Sequence, residues 1–213
     1  MAPPVFYVLA GPNGSGKTSF ALNDPALKGI PFINADIEAQ QLNPASPDKA
    51  ALAAGRITLS KISREISEGR EFALETTLSG LSTLEIMQRA LSAGYVIDFT
   101  YICLDSPSVN ISRVAKRVLA GGHHVPDRDV ERRYHRSLQN LPTALVHAER
   151  ARVFDNSTPS TATLLLEMRE RSFLFLRWEL PDWFKAVFQM ESVVEDATAH
   201  IERCLEERKQ RGR

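Results

Sequence analysis

The sequence predicts an α/β fold in which helices cover both faces of a mostly parallel β-sheet. Short runs of β-branched and aromatic residues alternate with longer helix-compatible stretches between residues 5 and 157, and strands that alternate with helices pair in parallel. The strand runs contain few polar residues, which is typical of strands buried on both faces. Of the 213 residues, 43% are hydrophobic and 24% are charged, which excludes a disordered, collagen-like or coiled-coil protein.

The first strand run, Val5–Ala10, leads into a glycine-rich turn. Residues 11–18 match G-x-x-x-x-G-K-[ST] in full, and a helix-compatible stretch follows to about Leu22. In this pattern the glycines let backbone N–H groups approach a phosphate, the lysine reaches the β- and γ-phosphates, and the hydroxyl ligates Mg²⁺. The turn therefore predicts binding of ATP or GTP, with Thr18 as the Mg²⁺ ligand. The predicted nucleotide contacts are Asn13, Gly14, Ser15, Gly16, Lys17, Thr18 and Ser19.

Two carboxylates follow the next two predicted strands. Asp36 comes after the run at 31–34, and Glu75 comes after the run at 71–74. The carboxyl ends of parallel strands share one edge of the sheet, where ligands bind. Asp36 is therefore expected to accept the proton of a substrate hydroxyl, with an N-cap of the following short helix as the alternative. Glu75 is expected to position substrate or Mg²⁺-bound water, with an internal ion pair as the alternative.

The remaining elements follow from residue preference and helix-boundary signals. The best strand run is 95–104, and another lies at 152–154. Apolar runs at 164–166 and 173–176 predict a hairpin or edge strands. Asp105 is expected to cap a helix that begins with Pro107. Helices are predicted over 47–68, 82–93, 107–119 and 126–138, with more helix to 149, and then over 181–188 and 192–208. We expect one domain over 1–213, with a core over about 4–157 and an extension over about 158–213.

Positive charge is concentrated in one stretch of a chain whose total charge is zero. Residues 113–136 hold seven basic and three acidic residues, whereas the whole chain has 26 of each sign. A glycine pair precedes an arginine-rich helix in this stretch, which is the composition of a closing lid. Such arginines would neutralise a transferring phosphoryl group. We expect Arg117 and Arg133 to contact the phosphoryl group, and Arg132 and Arg136 are the next candidates. The alternative is that the basic residues form a solvated helix face.

The P-loop, the two carboxylates and the basic lid together predict a small-molecule kinase that uses ATP. Residues 78–80 resemble the start of a transporter-ATPase signature, but the sequence then departs from it, and no N-K-x-D motif follows a strand. The predicted catalytic residues are Lys17, Asp36, Arg117 and Arg133, and the predicted substrate contacts are Asp36, Glu75, Thr76, Ser79 and His123. A structural role for His123 is the alternative. The alternatives are an ATP-dependent regulatory or interaction protein without a small-molecule acceptor, a kinase of another metabolite, and a nucleic-acid end kinase.

The chain is expected to act in the cytoplasm, without membrane or nucleic acid as a partner. No apolar run approaches the ~18 residues of a membrane span, and no basic region precedes the first apolar stretch. Cys103 and Cys204 are 101 residues apart, which fits neither a disulfide framework nor a metal site. The balanced charge provides no global attraction to nucleic acid.

Six stretches, in order, resemble the zeta-toxin-like P-loop kinases. They are AGPNGSGKTS, INADIEA, LETTLSG, GYVIDFTYICLDSP, RVAKRVLAGGHHVPDRDVERRYHRSLQNL and FDNS. The resemblance covers most of residues 5–157 and implies a P-loop kinase-like fold with an arginine-rich helical lid. It also implies ATP- and Mg²⁺-dependent phosphorylation of a sugar hydroxyl, which in these toxins belongs to UDP-N-acetylglucosamine, and an antitoxin protein as a partner.

The same motifs imply roles for individual residues. By position, the resemblance assigns Lys17 and Thr18 to the nucleotide site, Asp36 to the acceptor base, Glu75 to the substrate and Arg117 to a phosphate. Two positions depart from the toxin pattern, because Ser79 and His123 stand about where the toxins have arginines. The chain resembles a shorter branch of these proteins that is often labelled as ABC-type ATPases.

Overall fold

The computed structural model describes residues 2–158 and 161–189 of the chain. Its strands are β1 (Val5–Ala10), β2 (Phe32–Asn34), β3 (Phe72–Thr76), β4 (Val96–Cys103), β5 (Arg150–Asp155), β6 (Thr163–Arg169) and β7 (Ser172–Leu176). They form a seven-stranded sheet in the order β2-β3-β1-β4-β5-β6-β7. The first five strands pair in parallel, and β6 and β7 add an antiparallel hairpin at one edge. The predicted α/β class and the predicted hairpin are therefore confirmed.

The helices connect and cover these strands. They are α1 (Lys17–Asn23), α2 (Ala35–Leu42), α3 (Pro47–Glu68), α4 (Ser82–Ser92), α5 (Pro107–Leu119), α6 (Asp127–His147) and α7 (Asp182–Gln189), with a short 3-10 helix at Pro25–Leu27. Proline occupies the first helical position of α3 and of α5, where its missing N–H costs nothing. None of the described helices combines the length and hydrophobicity that a membrane span requires.

Apolar side chains cover both faces of the sheet. Val153 of β5 belongs to the main core, which also contains Met87 of α4 and Leu141 of α6. Successive strand residues point to opposite faces, and the next residue, Phe154, contacts Phe20 of α1 with ring centroids 5.1 Å apart. The sheet therefore has helices on each side, and the carboxyl ends of its parallel strands are open to ligands.

Register brings the carboxyl ends of three strands together beside the glycine-rich turn. Glu75 of β3 pairs with Leu9 of β1 on one side and with Asn34 of β2 on the other. The turn that follows β1 and the helix that follows β2 therefore begin at the level of Glu75. This edge of the sheet is where the sequence predicts a ligand.

The alternative role of Asp36 as a helix cap and the predicted role of Asp105 as a helix cap are both wrong. The N-cap of α2 is Asn34, whose Oδ1 accepts hydrogen bonds from the N–H groups of Asp36 (2.8 Å) and Ile37 (3.4 Å). Asp36 lies in the first turn of α2, so its carboxylate does not carry the cap. The N-cap of α5 is Ser106, and no side chain caps that helix, so Asp105 does not have the predicted role.

Helix α6 is longer and more regular than expected. It runs without a break from Asp127 to His147 and contains Pro142, whereas the sequence indicates an interruption near 138. Tyr134 of α6 donates to the carbonyl oxygen of Leu104 at 3.0 Å, which fixes this helix over the end of β4. The predicted helix at 192–208, which contains Cys204, lies outside the described residues.

Candidate active site

The glycine-rich turn between β1 and α1 excludes side chains at two positions. Gly14 has φ +76°, and a Cβ there would lie 2.9 Å from the carbonyl oxygen of Asn110. Gly16 has φ +97°, and its Cβ would lie 2.5 Å from Nδ2 of Asn156. Both φ values are in the left-handed region, which is unfavourable for residues with a Cβ. The turn is therefore a tight cradle whose N–H groups can face an anion.

Two asparagines hold the outside of this turn. Nδ2 of Asn110 in α5 donates to the carbonyl oxygen of Asn13 at 2.6 Å, and Nδ2 of Asn156 after β5 donates to that of Ser15 at 2.8 Å. Both carbonyl oxygens therefore accept hydrogen bonds from within the protein, and these bonds hold the turn in place. Ser15 is fully buried, and its Oγ has no hydrogen-bond partner among the described residues.

Lys17 is a buried cation at the base of the turn. The residue is 7% exposed, and its Nζ donates to the carbonyl oxygen of Pro12 at 2.9 Å. Burial lowers the pKa of the ammonium below its usual value, and the nearby carboxylates of Glu75 and Asp36 oppose that decrease. A bound polyphosphate would add negative charge here and stabilise the ammonium further.

Thr18 and Glu75 form the oxygen-rich part of the site. The Thr18 hydroxyl lies 3.1 Å from both carboxylate oxygens of Glu75. No salt bridge joins Glu75 to a basic side chain in the part of the chain that the structure describes, so the alternative of an internal ion pair is not observed. Hydroxyl and carboxylate oxygens are the donors that Mg²⁺ prefers. The residues present thus fit a nucleotide-bound Mg²⁺, with Thr18 as ligand and Glu75 beside it.

One cavity of about 820 Å³ joins the predicted residues. Its lining includes the predicted residues Asn13, Gly14, Gly16, Lys17, Thr18, Ser19, Asp36, Glu75, Thr76, Ser79, Arg117 and Arg133. The P-loop, the acceptor-base candidate and the predicted arginines therefore face the same space. Ser15 is absent from the lining because it is buried beneath the turn.

Helices α5 and α6 supply a basic wall to this cavity. The wall consists of Arg113, Arg117, Arg132, Arg133 and Arg136. Nη1 of Arg133 donates to Oδ1 of Asn13 in the P-loop at 3.3 Å, whereas Arg132 pairs with Asp129 on its own helix at 2.9 Å. Arg133 is thus held directly against the nucleotide turn, and Arg132 is partly neutralised.

The structure does not bring His123 into the cavity lining. Its carbonyl oxygen accepts a hydrogen bond from Nη2 of Arg117 at 2.9 Å. A Cβ on Gly122 would lie 2.6 Å from Cγ of Arg117, so the glycine lets the loop after α5 fold back against this side chain. The main chain of the loop, at His123, positions Arg117, and a substrate contact by the His123 side chain stays a prediction.

The loop between β3 and α4 is held in an unusual conformation. Leu78 is fully buried and has φ +56°, which costs about 1–2 kcal/mol for a residue with a side chain. Its N–H donates to Oγ1 of Thr76 at 3.1 Å, and its carbonyl accepts from Nδ2 of Asn140 at 2.9 Å. These bonds present Thr77 and Ser79, whose hydroxyls lie 2.9 Å apart, to the cavity.

Sequence reasoning missed the wall that α3 contributes. Its lining residues are Ala51, Leu52, Gly55, Arg56, Thr58, Leu59 and Ile62. None of them belongs to a motif, so no local signal marks them. The roles of Asn110 and Asn156 were also missed, although Asn156 lies in the strand-end motif FDNS.

Comparison with known proteins places the chain beside an uncharacterized protein of Haemophilus influenzae (strain ATCC 51907 / DSM 11121 / KW20 / Rd). The two are 34% identical over 131 residues, which cover 61% of this chain and 91% of the relative. This chain belongs to the family of that protein. A scan against protein-family models found no match.

Solved structures show the same fold. A chain of AvrRxo1-ORF1:-ORF2 with ATP superposes with a TM-score of 0.64 at 15% identity, covering 80% of this chain and 60% of that one. A chain of the PezAT chromosomal toxin–antitoxin system of Streptococcus pneumoniae superposes with a TM-score of 0.56 at 16% identity. The match covers 99% of this chain and 88% of that one. At these identities the likeness concerns the fold, which is the α/β fold of P-loop kinases.

Proposed function

We propose that the protein is an ATP- and Mg²⁺-dependent kinase that phosphorylates a hydroxyl of a nucleotide sugar, UDP-N-acetylglucosamine or a related compound. One observation carries this proposal: a single cavity is lined by the P-loop, by Asp36 and by a wall of arginines. Asp36 lies beside open space that a second ligand could occupy, where its carboxylate could accept the proton of a hydroxyl. This combination is the one that phosphoryl transfer requires.

The proposed reaction is a direct transfer. The acceptor hydroxyl oxygen forms a bond to the γ-phosphorus while Asp36 takes the hydroxyl proton. The bond from the γ-phosphorus to the bridging oxygen breaks, and ADP leaves with that electron pair. Lys17 and the cavity arginines compensate the charge on the phosphoryl oxygens. Mg²⁺, held by Thr18 and the nucleotide, would supply further charge neutralisation and orient the phosphates.

Arg117 and Arg133 are the proposed phosphate contacts. Arg133 already bonds to Asn13 of the P-loop, and Arg117 is held by the glycine loop that follows α5. Arginine is suited to this task because its planar guanidinium binds phosphate in a bidentate manner. Closure of α5 and α6 over ATP would bring this wall nearer to the transferring group.

The nucleotide-sugar acceptor and an antitoxin partner have a narrower basis than the kinase reaction. Both are implied by the motifs that resemble the zeta toxins, and the PezAT structure is that of a toxin–antitoxin system. A solved chain of 16% identity supports the fold alone. The acceptor is therefore part of this proposal, and the antitoxin stays a prediction.

A labelled-phosphate screen tests the proposal. The protein is incubated with Mg²⁺, γ-¹⁸O-labelled ATP and a mixture of nucleotide sugars, and the products are analysed by mass spectrometry. We expect one nucleotide sugar to gain a labelled phosphoryl group. Loss of ATP with label only in inorganic phosphate would instead favour a regulatory ATPase, and would contradict the kinase proposal.

A further inference from the structure

The wall of the cavity formed by α3 differs in character from the arginine wall. Helix α3 packs against α2 and β2, and β2 is separated from the P-loop strand β1 by β3. The acceptor-base candidate Asp36 lies on α2, next to this helix. The α3 wall is thus on the side of the cavity where an acceptor, rather than ATP, would lie.

A glycine in the middle of α3 leaves room in the cavity. Gly55 is an interior residue of a 22-residue helix, where glycine is less favourable than alanine. A Cβ built on Gly55 meets no atom within 4 Å, so no packing contact requires a glycine at this position. Because Gly55 lines the cavity, the missing side chain widens the space for a ligand.

Arg56, the next residue, adds a cation to the same wall. Its side chain lines the cavity and is exposed, and within the described residues it has no hydrogen bond or salt bridge. The arginine wall of α5 and α6 belongs to a different part of the sequence and contacts the P-loop. Arg56 therefore places a positive charge on the α3 wall, in addition to Lys17 and the arginines of α5 and α6.

Thr58 and the apolar neighbours complete the wall. Thr58 is 7% exposed and lines the cavity, and its Oγ1 has no hydrogen-bond partner among the described residues. A buried hydroxyl without a hydrogen-bond partner is destabilising, so a polar ligand atom would be favoured beside it. Leu59 and Ile62, also in the lining, offer apolar contact to the body of a ligand.

We propose that this wall is the acceptor subsite, and that it selects hydroxyl compounds carrying an anionic group, which Arg56 binds. The ligand body lies over Gly55, with its anionic end at Arg56 and its reacting hydroxyl toward Asp36. A phosphate, a diphosphate or a carboxylate would each provide the charge. This inference rests on the proposed function, and it adds Gly55, Arg56 and Thr58 as residues that determine specificity.

Calorimetric titration of four probes tests the subsite in the presence of Mg²⁺ and β,γ-imido-ATP. The probes are UDP-N-acetylglucosamine, N-acetylglucosamine 1-phosphate, glucuronate and neutral N-acetylglucosamine. We expect wild type to bind at least one anionic probe at least tenfold more tightly than the neutral sugar, and the pattern identifies the charged group. Failure to bind any anionic probe, or equal binding of the neutral sugar, would overturn the proposal.

Two matched pairs of variants assign the effect to α3. Gly55→Leu should lower the affinity for the tightest-binding probe at least fiftyfold. Ala53→Leu, at an exposed position of α3 outside the cavity lining, should leave that affinity unchanged. Arg56→Gln should lower the affinity for the anionic probes about tenfold, because one charged contact is lost. The control Arg64→Gln should leave these affinities unchanged. All four variants should bind β,γ-imido-ATP within twofold of wild type, which shows that the fold is retained.

The outcomes separate this proposal from the proposed function. If Gly55→Leu and Arg56→Gln bind the best probe as wild type does, the subsite is wrong even when wild type phosphorylates that probe. If wild type binds an anionic probe through Gly55 and Arg56 but transfers no label to it or to other sugars, the subsite stands and the kinase reaction fails.

Discussion

At the scale of single residues, the site depends on positions where a side chain is either forbidden or buried at a cost. Gly14 and Gly16 leave no space for a Cβ, and Lys17 places an ammonium where burial lowers its pKa. A protein selected for stability alone would have no reason to keep that buried lysine. The P-loop therefore carries an energetic cost that a polyphosphate ligand would offset.

Gly14→Ala should weaken ATP binding at least tenfold. The new Cβ would lie 2.9 Å from a backbone carbonyl at φ +76°, so the turn must move. Gly94→Ala is the matched control, because Gly94 has φ +85° with no atom within 4 Å of its Cβ. Both variants should lose about 1–2 kcal/mol of unfolding free energy from backbone strain. Equal ATP affinities of the two variants, measured with a fluorescent ATP analogue, would contradict this account of the turn.

At the scale of elements, the loop between β3 and α4 shows how a distant helix positions the site. Leu78 has a left-handed backbone conformation, and Asn140 of α6 holds its carbonyl group. The same helix carries Arg133, which bonds to the P-loop. Helix α6 thereby connects the nucleotide side of the cavity to the loop that presents Ser79, and movement of α6 would affect both.

Asn140→Ala should raise the KM for the acceptor about fivefold and leave the ATP affinity unchanged. Removing the amide leaves the Leu78 carbonyl without its donor, at a cost of about 1 kcal/mol in unfolding free energy, and loosens the loop. Gln139→Ala is the control, since Gln139 is an exposed neighbour on α6. Steady-state kinetics with varied acceptor would refute the positioning role if both variants showed the wild-type KM.

At the scale of the whole molecule, sequence patterns were sufficient wherever local chemistry determined the outcome. The P-loop pattern fixes a turn between a strand and a helix, and parallel strand ends bring Asp36 and Glu75 to the same edge. The hairpin of β6 and β7 followed from two apolar runs around a charged turn. These features need only local preference and the rules of parallel sheets.

Tertiary packing decided what the sequence patterns could not. Gly55 and Arg56 belong to no motif, and they reach the cavity only because α3 packs against α2 and β2. Asp36 was a candidate cap, but Asn34 occupies that position because β2 ends there. The left-handed Leu78 is also invisible in the sequence, since leucine rarely adopts that conformation.

The central claim is that one cavity holds ATP and an acceptor hydroxyl, with Asp36 as the base between them. The most direct test compares wild type, Asp36→Asn and the control Asp182→Asn, an exposed carboxylate on α7, in single-turnover transfer to the acceptor. We predict that Asp36→Asn lowers the transfer rate by about 10²–10⁴-fold, the usual contribution of a general base. Its affinity for β,γ-imido-ATP should stay within twofold of wild type. Transfer by Asp36→Asn at the wild-type rate, with Asp182→Asn also unchanged, would contradict the claim.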